Sequence, residues 1–158
     1  MPITIGRATI KAIGRATIKD SDALLKIAEI AYETYLPLMD KKPAPMLADF
    51  EKHISEDIVF MALTEAEEII GYVVLQQIER QWWLDNIAVH PSYQGQGIGT
   101  KLRIEAEDYV SVLADRIQLY TNIVMADNIS WYERAGYVIT QQALINGYER
   151  LYFEKRLG

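Results

Sequence analysis

The sequence predicts a single α+β domain. Three strand-like runs follow one another in the middle of the chain, over residues 58–63, 69–78 and 81–89. A second hairpin signal closes the chain at Asn146-Gly147, and a long amphipathic helix follows a glycine-rich turn at residues 93–99. Strands that are adjacent in sequence and joined by short turns do not fit a repeating βα winding. A length of 158 residues, half of them hydrophobic, suits one compact unit, and we read 1–158 as a single domain.

The chain opens on a tandem copy, Ile5 to Lys11 and again Ile13 to Lys19, separated by Ala12. Two short copies do not make a repeat architecture, so residues 1–12 read as a duplicated or extra strand segment. The offset of eight is even, and a strand slipped by one copy keeps each side chain on its face. Either copy can therefore serve as the first strand.

Asp20 to Met39 reads as a helix capped by Asp20 or Ser21, with Leu24, Leu25, Ile27, Ala28 and Ala31 on its apolar face and Pro37 ending or kinking it. Residues 41–45 form a loop by composition and a short helix runs to about His53. Ile58–Leu63, Ile69–Ile78 and Gln81–Val89 are strands, and His90-Pro91 stops the third. The helix after the glycine turn carries Ile98, Leu102, Ala106, Tyr109, Val110 and Leu113 on one face. A strand at Ile117–Thr121 and a helix at Asn128–Ala135 follow, with Gly136 at the helix end. Tyr137–Ile145 and Tyr148–Glu154 form the closing hairpin.

Composition narrows the function classes. A net charge of −6 argues against a nucleic-acid binder or an anionic-membrane binder, either of which would show a basic face. The absence of cysteine excludes disulfides, thiolate metal sites and a cysteine nucleophile. Two scattered histidines, His53 and His90, do not build a metal cluster, so no metal is expected. Neither a signal segment nor an apolar run of bilayer-spanning length is found, and a cytoplasmic protein is the expectation.

The chemistry concentrates between Leu84 and Leu113. Gly95, Gly97 and Gly99 clear side chains from the turn, and backbone N–H groups there can approach a ligand. With the positive end of the following helix, they suit a phosphate or pyrophosphate. A P-loop is excluded because Gly99 is followed by Thr100 and then Lys101. The dinucleotide fingerprint fails because Thr100 stands where its third glycine belongs.

What fits is Gln94-x-x-Gly97-x-Gly99 directly after a strand ending Ala88-Val89-His90-Pro91. This resembles the (Arg/Gln)-x-x-Gly-x-(Gly/Ala) signature of the GNAT acetyltransferases. Leu84–Pro91 is similar to that family's fourth strand, and Asn128 to Tyr137, with Tyr132-Glu133-Arg134 inside it, to its downstream helix. The three elements cover about half the chain in the right order.

The resemblance implies a mixed, mostly antiparallel central sheet with helices on both faces and a splayed coenzyme-binding strand. It implies acetyl-CoA as cosubstrate, a small-molecule or peptide amine as acceptor, and direct attack in a ternary complex. Gln94, Gly95, Gln96, Gly97, Ile98, Gly99 and Thr100 would bind the pyrophosphate. The backbone of Ile87, Ala88 and Val89 would pair with the pantetheine arm, and Asn128 would contact it. Tyr132 would protonate the leaving thiolate, the alternative being a core aromatic on an amphipathic helix. Asp85 is a candidate base for the amine, or else a paired structural carboxylate. Trp83, Tyr32 and Tyr35 are candidates for lining the acceptor pocket, or else packing residues. Trp82 and Trp83 are neighbours on a strand and face opposite ways, so one of them belongs to the core.

His90 reads as a strand-end residue, His53 as a helix-surface residue, and Lys101 and Arg103 as exposed helix charges, the alternative being that they help neutralise phosphates. Two other function classes compete: a non-catalytic acyl-CoA sensor of the same fold, and a nucleotide-phosphate protein. A homodimer would be unsurprising.

Overall fold

The computed structural model describes residues 10–158, so residues 5–9 of the first tandem copy lie outside the described residues. Seven strands form one open sheet: β1 (Ile10–Arg15), β2 (Ile58–Thr64), β3 (Ile69–Ile78), β4 (Gln81–Val89), β5 (Arg116–Asn122), β6 (Val138–Ile145) and β7 (Tyr148–Arg156). Their order is β1-β2-β3-β4-β5-β7-β6, and every neighbouring pair is antiparallel except β4 with β5. Among the described residues four α-helices cover it: α1 (Ser21–Tyr32), α2 (Phe50–Glu56), α3 (Ile98–Ser111) and α4 (Ala126–Arg134).

The alternation of the strands sends side chains into two cores. Leu24, Ile27 and Ala28 of α1 and Phe50 of α2 pack on Val59, Met61, Tyr72 and Val74 of one sheet face. Leu102, Ala106 and Val110 of α3 and Tyr132 of α4 pack on Val73, Leu75, Leu84, Leu119 and Phe153 of the other. Helices thus lie on both faces, as the sequence predicts. Trp82 is the core member of the tryptophan pair, edge-on to Tyr109 at 5.9 Å.

Several elements depart from the sequence reading. The first strand straddles the two copies. Gly14 and Arg15 of the second copy pair with Met61 and Phe60, and Thr17 of that copy receives support from Asp20, whose carboxylate accepts from the Thr17 amide at 2.8 Å. Only the second copy has an acidic residue three places after its threonine, so the copies are not equivalent. The helix expected over 20–39 is α only to Tyr32 and continues as a 3-10 segment, Glu33–Leu38. Pro37 has no N–H and its ring crowds the carbonyl four residues back, so the ladder tightens there. Leu113 lies beyond α3 and is exposed. Arg103 is buried rather than an exposed helix charge: its guanidinium donates to Glu107 at 3.1 Å, and Glu107 also accepts from Tyr137 and Lys155.

The closing hairpin turns at Asn146 and Gly147, with φ of 53° and 81°. Both values are positive, as a two-residue turn of this kind demands.

Candidate functional site

The site follows from one irregular strand. On β3, Leu75 faces Leu84 and Val74 faces Asn86, which leaves Asp85 as an extra residue in β4. A bulge of one residue reverses the face on which later side chains lie. Trp82 and Leu84 accordingly join the core under α3, whereas Ala88 joins the core under α1, and Asn86 accepts a hydrogen bond from Tyr72 of that same core at 3.0 Å. The bulge also parts β4 from β5. Only Trp83–Gln118 and Leu84–Leu119 are paired between these strands, and beyond Leu84 they splay.

A cleft of about 580 Å3 opens on the splay. One wall is Ile87, Ala88 and Val89, another is the turn and first residues of α3, and Asn128, Trp131 and Arg134 of α4 close the far side. Gly95 and Gly97 sit at φ of 78° and 80°, and a Cβ on either would meet no atom within 4 Å. Side-chain-free backbone therefore faces open cleft at the positive end of the 14-residue helix α3. Of the residues expected to bind coenzyme, Gln96 alone is not part of this wall.

The backbone of β4 is less available than the sequence suggests. The His90 amide donates to Ile70 of β3 at 2.8 Å. Antiparallel alternation then turns Ala88 toward β3 and Ile87 and Val89 into the gap. Even there the Ile87 carbonyl accepts from the Tyr32 hydroxyl at 2.9 Å, and the Val89 carbonyl accepts from the Gln94 side-chain amide at 3.1 Å. The Ile87 and Val89 amides remain to meet a ligand.

A second cavity, about 210 Å3, lies on the α1–α2 side. Tyr32 lines both cavities. Asp85, His53, Asn86, Tyr120 and Arg150 give it its polar surface. Asp57, at the end of α2, accepts from His53 Nδ1 across 2.8 Å, and His53 Nε2 lies 3.9 Å from Asp85. His53 is thus a half-buried member of this cavity and not a helix-surface residue. Burial raises the Asp85 carboxyl above the ordinary carboxylate range; His53 opposes that rise, Asp57 adds to it, and Arg150 opposes it.

Tyr132 is almost fully buried. Its ring lies 5.0 Å from that of Trp131, 5.5 Å from Tyr137 and 6.0 Å from Phe153. It stands behind the cleft rather than among its lining residues. Its hydroxyl bonds to no described residue, and no enclosed side-chain polar atom among the described residues lacks a partner, so this oxygen touches accessible space. Burial pushes its acidity well down, so the phenol stays protonated at neutral pH. The Tyr32 and Tyr35 hydroxyls, which bound the cleft, are its electrostatic neighbours.

The remaining candidates separate. Tyr35 borders the β4–α3 cleft, and Asn128 also lines it, its amide 3.6 Å from Met125 Sδ. Trp83 lines neither cavity; it packs edge-on against Tyr152 at 6.1 Å. His90 caps the turn after β4 by accepting from the Ser92 amide at 3.1 Å. Residues not anticipated are Trp131, Arg134 and Tyr93 in the cleft, and His53, Tyr120 and Arg150 in the second cavity. Among these, His53 alone carried a local signal, an aspartate four residues on.

Comparison with known proteins agrees with this geometry. The family model described as acetyltransferase (GNAT) domain matches residues 55–139, more than half of the chain. A GCN5-related N-acetyltransferase from Rhodopseudomonas palustris superposes with a TM-score of 0.75 at 20% identity, covering 95% of this chain and 98% of that one. The PaiA N-acetyltransferase of Thermoplasma acidophilum, solved in complex with coenzyme A, gives 0.74 at 18% identity, covering 92% and 98%. The ribosomal-protein-S18-alanine N-acetyltransferase of Escherichia coli gives 0.73 at 17% identity, covering 92% and 93%. No curated protein matches by sequence. Among the described residues no helix is long and apolar enough to cross a membrane.

Proposed function

The chain belongs to the GNAT acetyltransferases, and from that premise we propose that it moves an acetyl group from acetyl-CoA to a primary amine held in the second cavity. The observation that carries this reading is the pair of cavities at the β4–β5 splay that share Tyr32 as a lining residue. One has an anion cradle and the other a half-buried carboxylate, so a phosphate-bearing donor and a cationic acceptor can meet from opposite sides.

The residues present fit the donor. The amides from Gln94 to Thr100, with two glycines where a Cβ would project into the cleft, would hold the pyrophosphate. The Ile87 and Val89 amides would bond the pantetheine arm as an added strand does. When bound, the coenzyme supplies an activated acetyl carbon: one C–N bond forms, one C–S bond breaks, and the amine gives up a proton as the thiolate gains one.

The protein's part is to place and move those protons. Asp85, raised by burial but beside His53, takes the ammonium proton on its carboxylate. His53, anchored by Asp57, offers that proton an onward path. Tyr132 keeps its phenolic proton because it is buried, and it donates that proton to the sulfur as the charge develops there. Tyr32, which lines both cavities, is held in place by its bond to the Ile87 carbonyl. The absence of cysteine from the chain supports direct attack over a thioester on the protein.

Thiol release from acetyl-CoA, with mass spectrometry of the amine, tests the proposal. Amine-dependent release with a gain of one acetyl group is expected. Saturable coenzyme binding with no acetylated amine from any class of amine would contradict catalysis and favour the sensor reading.

A further inference from the structure

The second cavity holds a charge that proton transfer does not require. Arg150 lies on β7 opposite Asn122 of β5, with its guanidinium carbon 4.0 Å over the Tyr120 ring and 5.7 Å from the Tyr148 ring. With the Tyr120 ring against it, the guanidinium keeps N–H donors for other partners. Among the described residues it makes no hydrogen bond and no ion pair, although Asp85 lines the same cavity. No enclosed side-chain nitrogen of the described residues lacks a partner, so these donors open on accessible space.

Met39, Pro43, Pro45 and Met125 give the cavity apolar lining. Its roof is fastened to the closing hairpin. Lys41 donates to the Asn146 carbonyl at 2.6 Å, and the Tyr148 hydroxyl donates to the Lys42 carbonyl at 2.7 Å. The cavity thus combines a carboxylate, apolar lining and an unengaged fork of N–H donors, in a volume of about 210 Å3 that is small beside a drug-sized site.

We propose that the acceptor is a small amine carrying its own carboxylate, an amino acid, with the carboxylate seated on Arg150 and the amine facing Asp85. This rests on the acyl-transfer reading and narrows it. An aromatic-stacked guanidinium with free N–H donors matches the two oxygens of a carboxylate. A polyamine filling the same space would set a second cation against Arg150, which disfavours that class of acceptor.

The test compares the standard α-amino acids, β-alanine and γ-aminobutyrate with their carboxamides, and with putrescine and spermidine, in acetyl-CoA-dependent thiol release. At least one amino acid is turned over, and its kcat/KM exceeds that of its carboxamide by about 10- to 100-fold, the usual range for a hydrogen bond to a charged group. Arg150→Gln collapses this acid-to-amide ratio toward one, and Arg150→Lys, which keeps the charge and loses the fork, gives an intermediate ratio. The inference is overturned by turnover of no amino acid, by a carboxamide or polyamine used as well as the acid, or by an unchanged ratio in Arg150→Gln. The wild-type comparison stands alone should the variants not fold. Titration with acetyl-CoA separates the two levels: coenzyme binding without amino-acid turnover sinks this inference only, and absence of coenzyme binding sinks the reading beneath it.

Discussion

Replacing Tyr132 by phenylalanine removes one oxygen from a ring otherwise held by Trp131, Tyr137 and Phe153. Because the hydroxyl bonds to no described residue, its loss leaves no orphaned partner among the described residues. The stability change should then stay within about 0.5 kcal/mol, the range of substitutions that break no contact. Catalysis should respond very differently. A general acid contributes about 10²- to 10⁴-fold, which at about 1.36 kcal/mol per decade corresponds to roughly 2.7–5.4 kcal/mol of barrier. The assay is thiol release at saturating acetyl-CoA and amine, run beside calorimetric titration of the coenzyme and thermal unfolding. The expected result is a kcat lowered by about 10² or more, with coenzyme affinity and unfolding temperature close to wild type. A kcat within about threefold of wild type would leave Tyr132 a packing residue and refute the proton-donor argument. A large loss of stability would show that the hydroxyl has a structural partner.

Asp85→Asn should lower kcat by about 10²-fold and remove the acidic limb of the pH–rate profile; a profile of unchanged shape would exclude Asp85 as the base. The same variant should gain stability at neutral pH. Burial raises the folded carboxyl's pKa, so the residue's contribution is complete below the ordinary carboxylate value of about 4 and is lost as pH rises through the folded value. The gain in unfolding temperature should therefore vanish on acidification, and a gain that persists below about pH 4 would contradict the assigned cause. Gly97→Ala places a methyl group in open cleft at φ of 80° and should cost about 1–2 kcal/mol of backbone strain, a fall of roughly 2–8 °C in Tm. It should also weaken coenzyme binding, and unchanged affinity on titration would show that the turn does not cradle the ligand. Deletion of residues 5–12 leaves the Ile13–Ala62, Gly14–Met61 and Arg15–Phe60 pairs and the Thr17–Asp20 contacts in sequence, so a folded protein is expected. A large loss of thermal stability would refute that.

The parts of this molecule that were legible in its sequence are those whose cause is local. The Asn146-Gly147 turn needs two positive φ angles, and those residues supply them. The glycine turn and α3 are likewise contiguous, and most residues that line the β4–α3 cleft lie within 87–100. The turn between β3 and β4 was harder, because Glu79 and Arg80 adopt positive φ without the residue types that signal it.

The bulge at Asp85 was not legible at all. It is a mismatch of register with β3, and nothing within β4 announces it. The second cavity fails to show in the sequence for the same kind of reason. His53, Asp85, Tyr120 and Arg150 come from α2, β4, β5 and β7, and the placement of β7 beside β5 is what gathers them. Arg103 was misread for another reason: its spacing of four from Glu107 was visible, but not the Tyr137 and Lys155 groups that make their pairing a buried network.

The most direct test of the central claim is calorimetric titration of the purified protein with acetyl-CoA, with ATP and NAD as comparison ligands. Saturable binding of acetyl-CoA, without saturable binding of ATP or NAD, is the predicted result. No binding of acetyl-CoA, or binding of ATP or NAD in its place, would contradict the assignment of the β4–α3 cleft as an acyl-coenzyme site.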